Sequence, residues 1–215
     1  MKIIDNGKGN IIVTGDKLAS SSIVIKIKGN NNLIKLGDIP RIGKINITLE
    51  GEENTIIIGN LRRVGNLNIL LKGNANLHIK DNTTIEDAYM LIDKSSAINI
   101  GYDCMISFKV SFRTTDAHGI YDLKTGILLN PSENIILENH VWIAQDVIVS
   151  KGVHINKNSI IGAKSFVQKV NIPNNSIAAG IPAKVIKSNV IWDRRMTKNL
   201  YDEDANFDFL LKRWL

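Results

Sequence analysis

From residue 135 onward the chain repeats itself every six residues. Leu137, Ile143, Val149, Ile155, Ile161 and Val167 form an unbroken aliphatic series, and two residues ahead of each stands Ile135, Val141, Val147, Val153, Ser159 or Ser165. Ile100, Ile106 and Phe112 keep the same spacing upstream, with Cys104 and Val110 at the second position. A period of six matches neither a helix of 3.6 residues per turn nor the two-residue alternation of a hairpin meander. It fits a triangular coil in which each of three sides is one short strand and one corner, the aliphatic residues stacking inward from coil to coil. Neighbouring coils then satisfy one another's backbone hydrogen bonds, and only the two ends of the prism leave open edges.

A second, longer period runs through the N-terminal part. "DNGKGNIIVTGD", "IKGNNNLIKLGD", "LEGEENTIIIGN" and "LKGNANLHIKDN" align at a spacing of 22 residues, with Gly7, Gly29, Gly51 and Gly73 in one column and Asn10, Asn32, Asn54 and Asn76 in another. Glycine and asparagine tolerate positive φ best, so each column reads as a stack of identical corners followed by a short aliphatic strand. A degenerate fifth copy, "IDKSSAINIGYD", leads into the six-residue regime. The expected organisation is N-terminal solenoid coils over 1–95, a hexapeptide-repeat region over 96–187 with a loop at 116–134, and a C-terminal segment over 188–215 that reads as amphipathic helices capping the last coil.

Composition narrows the class. Aromatic residues are 6% of the 215-residue chain and hydrophobic residues 44%, which suits narrow strands with aliphatic stacking in one elongated core. No run approaches the roughly 20 apolar residues that span a bilayer, and "MKIIDNGKGN" has no apolar stretch behind its lysine, so a cytoplasmic protein is expected. The single cysteine, Cys104, has no disulfide partner and is expected to be a buried, inert thiol. A formal charge of +6 implies attraction to anions, but the excess is spread too evenly to choose among phosphates, acidic glycans and nucleic acid.

Residues 139–187, "NHVWIAQDVIVSKGVHINKNSIIGAKSFVQKVNIPNNSIAAGIPAKVIK", carry V-W-I, K-G-V, I-I-G-A-x-S-x-V and G-x-P-A-K-x-I in that order. This run resembles the hexapeptide-repeat acyltransferases. "TTDAHGIYDLKTG" at 114–126 with "NVIWDRRM" at 189–196 is similar more narrowly to the bacterial capsular polysaccharide O-acetyltransferases, those of polysialic acid among them. The strong likeness spans roughly residues 100–197. It implies a left-handed parallel β-helix, an exception to the right-handed crossover rule. It also implies a homotrimer with active sites between adjacent prisms, acetyl-CoA as acetyl donor, and a glycan rather than nucleic acid as acceptor.

Acetyl transfer from a thioester to a sugar hydroxyl needs a base, because an alcohol is a poor nucleophile until its proton is leaving. An imidazole suits that step near neutrality. His118 matches the histidine that plays this role in the resembling family. Trp142 follows the inward Val141, so its ring faces outward, where the resemblance makes it a wall of the active site and the bland alternative makes it a surface covered by a neighbouring subunit. Asp116 is a candidate to hold His118 or to bond the sugar, against a simple turn-stabilising role. The resemblance assigns the pantetheine arm of CoA to the small residues Ala144, Gly162, Ala163 and Gly180, and Lys164, Lys169 and Lys184 in the same motifs are candidates for its phosphates, against a role as solvated surface lysines. His154 and His78 read as outward surface residues, and His140, at a corner two residues before Trp142, is a weaker candidate for the cleft. No H-x4-H pair of the kind used by the zinc enzymes of this fold occurs, so no metal is expected.

Three positions depart from the family pattern. Gly119 stands where relatives often have proline, Ile127 where many have a glutamate that orients the histidine, and Ala144 where "WIG" has glycine. The group that orients His118 is then a backbone carbonyl, Asp116 or a neighbouring chain. Two rivals stand beside the polysaccharide O-acetyltransferase: a serine, small-sugar or amino-sugar acetyltransferase of the same fold, and a solenoid that binds without catalysing.

Overall fold

The computed structural model describes residues 1–195 as a parallel β-solenoid of about 8 turns, a left-handed β-helix with almost no helix. One sheet has eight strands, running from Ile11–Thr14 through Leu33–Leu36, Thr55–Ile58, Asn76–Ile79, Ala97–Ile100, Ile135–Leu137 and Val153–Ile155 to Asn171–Ile172, every neighbour parallel. In the N-terminal coils the other two sides form one long bent strand per coil, as in Ile42–Glu50, Arg63–Lys72 and Thr84–Ile92.

The change of period seen in the sequence is a change in this second wall. Thr84–Ile92 pairs with two short strands at once, Met105–Ile106 and Val110–Arg113. Between them Lys109 adopts a left-handed φ of 56°, and Asp146 and Lys164 do the same in the next two coils, at 59° and 58°. A true corner thus replaces the bend. Beyond it the prism has three faces: face 1 carries Met105–Ile106, Trp142–Ile143, Ile160–Ile161 and Ser176–Gly180; face 2 carries Val110–Arg113, Ile148–Ser150 and Phe166–Val167; face 3 continues the eight-stranded sheet. Trp142 pairs with Ile160, so the coil is now three six-residue sides long. Every member of the aliphatic series from Leu137 to Val167 is buried, as are all six residues at the second position.

The N-terminal columns are real but slip once. Asn32 and Asn54 are buried, and each side chain donates to the amide oxygen of the asparagine below, Asn32 to Asn10 at 2.9 Å and Asn54 to Asn32 at 2.8 Å. A Cβ on Gly29 would collide with the Gly51 carbonyl, so that position admits only glycine. The expected fourth asparagine does not join. Asn76 pairs with Thr55, and the backbone N–H of Ala75 takes the place above Asn54 Oδ1. The corner after Gly73 is one residue shorter than the one after Gly51, which moves Asn76 out of the interior and puts a buried alanine there.

The C-terminal edge of face 1 is covered by a strand. Ala183–Ser188 turns back and pairs antiparallel with Ser176–Gly180. From there the chain runs down the corner between faces 1 and 3 as a strap: Val190 bonds Asn175, Trp192 bonds His140, and Arg194 reaches Asp103 and Thr84. The helical cap expected over 188–215 is therefore not found in its described part, 188–195; the remainder, 196–215, lies outside the described residues. No helix among the described residues is long and apolar enough to cross a membrane.

Candidate active site

The loop at 116–134 leaves the prism after face 2 and returns at Ile135 on face 3. It is a short hairpin closed by an antiparallel bridge between Tyr121 and Leu128, with an Asx turn in which Asp122 accepts from the N–H groups of Lys124 and Thr125. His118 sits on the turn that starts this hairpin and is exposed. It lines an open cleft of about 180 Å3 with Asp93, Thr115, Tyr121, Asn130 and Ser132.

The turn is held at its backbone. Ala117 has a left-handed φ of 68°, and its N–H donates to Thr115 Oγ1 at 3.1 Å. Asn130 donates from Nδ2 to the His118 carbonyl at 2.9 Å, and its Oδ1 accepts the N–H of Ile120 at 2.7 Å. No hydrogen bond reaches the His118 ring among the described residues. The glycine at 119 has a local reason: the Tyr121 ring lies over it, and a Cβ there would come within 2.6 Å of the ring.

Asp116 makes no hydrogen bond to the His118 ring among the described residues. Its Oδ2 receives the Lys151 ammonium at 2.6 Å and Asn130 Nδ2 at 2.8 Å. These two bonds, that of Lys151 foremost, hold the carboxyl below the usual aspartate range. Lys151 is a residue the sequence reading passed over, although it stands in the K-G-V motif. Its signal is burial, which no local pattern reveals: only 6% of its side chain is exposed.

Trp142 lies elsewhere. It projects from face 1, half-buried, and is covered in part by its own chain: the Trp192 ring sits at 6.1 Å with a 52° tilt. Behind both rings is a buried polar cluster. His140 stacks flat on Trp192, its Nδ1 lies 3.2 Å from Asp103 Oδ2 and its Nε2 3.0 Å from the Trp192 carbonyl. At 2% exposure, His140 belongs to the interior of the corner rather than to any cleft. Burial alone would raise the Asp103 carboxyl, but the bond from His140 and the charges of Arg194, His140 and Arg62 outweigh it and hold it low.

The small residues assigned to the donor gather at one corner. The N–H of Ala144 donates to the Ile161 carbonyl and that of Gly162 to Ala178, so Ala144, Gly162 and Ala179 stack in one column where face 1 ends. A Cβ on Gly162 would come 2.9 Å from that of Ala179, so position 162 has no room for a larger residue. Ala163 and Lys164 follow at the same corner, and Lys184 lies across from Ala179 in the antiparallel pair that begins at Gly180. Ala179 was not singled out in the sequence and completes the column. Lys169 stands apart, at the corner between faces 2 and 3, where it pairs with Glu133 at 3.2 Å. Within one chain, then, the small-residue corner and Trp142 share face 1, while His118 and Asp116 belong to the loop between faces 2 and 3.

A left-handed parallel β-helix whose coils are built on a six-residue period defines the hexapeptide-repeat class. No family model matches the chain. The solved structure of the polysialic-acid-specific acetyltransferase NeuO superposes with a TM-score of 0.82 at 30% identity, over 98% of this chain and 90% of that one. The chain belongs to the family of the polysialic acid O-acetyltransferases. Curated relatives of that description match more partially: the one from Neisseria meningitidis is 31% identical over 134 residues, 62% of either chain, and the one from Escherichia coli O1:K1 is 33% identical over 122 residues, 57% of this chain and 39% of the relative. The matched segment thus spans less than two thirds of those two relatives.

Proposed function

We propose that the protein is an O-acetyltransferase that moves an acetyl group from acetyl-CoA to a hydroxyl of a bacterial capsular polysaccharide in the cytoplasm. The observation that carries this reading is the exposed imidazole of His118, on a turn fixed at its backbone and with its ring free of hydrogen bonds among the described residues. Such a ring is available to a substrate. His118 accepts the proton of the sugar hydroxyl as its oxygen attacks the thioester carbonyl, and the imidazolium returns that proton to the departing thiolate of CoA. No acyl-enzyme is needed, and rate enhancement comes from positioning plus general-base catalysis, the latter about 10²- to 10⁴-fold.

The donor would lie along the column of Ala144, Gly162 and Ala179 with Ala163 and Gly180, where small side chains let the pantetheine arm approach the backbone, and Lys164 and Lys184 would meet its phosphates. Because that corner and Trp142 belong to face 1 while His118 belongs to the loop, the complete site takes His118 from one prism and the Trp142 wall from the next, in a homotrimer. The test uses radiolabelled acetyl-CoA and a panel of capsular polysaccharides. Label should enter one class of polymer in proportion to protein added. No acceptor-dependent CoA release across the panel, with no binding of acetyl-CoA, would leave a non-catalytic solenoid.

A further inference from the structure

A buried lysine must be explained. Removing an ammonium from water is costly unless hydrogen bonds and an opposite charge replace its hydration. Lys151 follows the face 2 strand Ile148–Ser150, is 5% exposed, and sends its Nζ out of the prism wall to Asp116 Oδ2 at 2.6 Å and to the carbonyl of Asn130 at 2.9 Å. Both partners lie on the loop, at the two ends of the segment that carries His118.

Asn130 completes the connection. Its Nδ2 donates to Asp116 Oδ2 at 2.8 Å and to the His118 carbonyl at 2.9 Å, while its Oδ1 accepts from Ile120 N–H at 2.7 Å. The residue before His118 by two, the residue itself and the residue after it by two are therefore tied to one asparagine, and that asparagine and Asp116 are tied to one lysine of the rigid prism. No carboxylate bonds the ring of His118 among the described residues, and Ile127, farther along the hairpin, is exposed.

We infer that Lys151 is a positioning residue for the acetyl transfer: with Asp116 and Asn130 it locks the backbone of the His118 turn to the prism, so that the imidazole is aimed by its main chain and not by a carboxylate on the ring. This rests on His118 being the base. The mechanism is geometric. A salt link anchored on a buried lysine, with a shared asparagine, resists the small rotations of the turn that would swing the ring, and misplacement of a reacting group by about 1 Å costs on the order of 10²-fold in rate.

The experiment is steady-state kinetics on Lys151→Met, Asp116→Asn, His118→Ala and the Lys151→Met/His118→Ala double variant, with acetyl-CoA binding measured by calorimetry. Lys151→Met should lower kcat by about 10- to 100-fold while KM and Kd for acetyl-CoA stay within about twofold. The double variant should be no slower than His118→Ala alone, since a misaimed base costs nothing once the base is gone. Asp116→Asn keeps the shape and loses the charge; being on the surface loop it carries the test even where Lys151→Met does not fold, and it should show the same kcat loss. Wild-type kcat in both single variants overturns the inference, as does an equal loss from Lys151→Met in the presence and absence of His118. Wild-type turnover in His118→Ala overturns the base assignment itself and the inference with it, and is told apart because it appears without any change at Lys151.

Discussion

The rings of His140 and Trp192 stack at 3.9 Å with 4° between their planes, although 52 residues separate them in the chain. Trp192 also donates from Nε1 to the His140 carbonyl at 2.8 Å, so one side chain closes the strap onto the corner by both packing and hydrogen bonding. Trp192→Ala should cost about 3–5 kcal/mol, the range for truncating a large buried aromatic. Urea denaturation checks this: the midpoint should fall with the slope unchanged.

Beneath that stack, Asp103 gives the fold an acid limit. Its carboxyl is held below the ordinary value in the folded state, so the folded protein releases the proton more readily than the unfolded chain. The stabilisation is complete above the unfolded pKa of about 3.9 and is lost as pH falls through the lowered folded value. Thermal melts between about pH 6 and pH 3 should show the Asp103→Asn variant losing less stability on acidification than the wild type.

The buried asparagine ladder predicts a local cost in the N-terminal coils. In Asn54→Ala the buried N–H of Ala75 loses its acceptor at 3.3 Å, and the carboxamide oxygen of Asn32 loses one of its two donors, keeping the backbone N–H of residue 54 at 2.9 Å. Leaving buried polar groups unpaired costs about 1–3 kcal/mol, which chemical denaturation would resolve.

Cys104 is fully buried, and burial, the main cause, pushes its thiol up to about 12. The reactive thiolate is therefore suppressed at any ordinary pH. A chromogenic disulfide reagent at pH 8 should find no reactive thiol in the folded protein and one equivalent after denaturation. Rapid labelling of the native protein would contradict the burial.

The prism was legible because an inward series such as Ile143, Val149 and Ile155 depends only on local spacing, and spacing is written in the chain. The slip at Asn76 was not, since it depends on how many residues one corner uses, and alanine at 75 gives no sign of standing in the place of an asparagine. The site divides in the same way. His118 and the small residues at 144, 162 and 180 stand in ordered motifs, but His140 reads as a surface corner until the strap is seen to cover it. Lys151 has no mark in the sequence beyond its place in K-G-V, and its burial comes from the loop that folds over it. Both are decided by contacts 35 or more residues away in the chain, which no periodicity records. Amphipathic spacing beyond 188 predicts capping helices, where the described residues 188–195 instead form the strap.

The central claim is that His118 is the base for acetyl transfer, and turnover of His118→Ala tests it most directly. With acetyl-CoA and the polysaccharide that accepts label, kcat should fall by about 10²-fold or more while calorimetry finds acetyl-CoA affinity unchanged. Turnover at the wild-type rate in that variant would contradict the account.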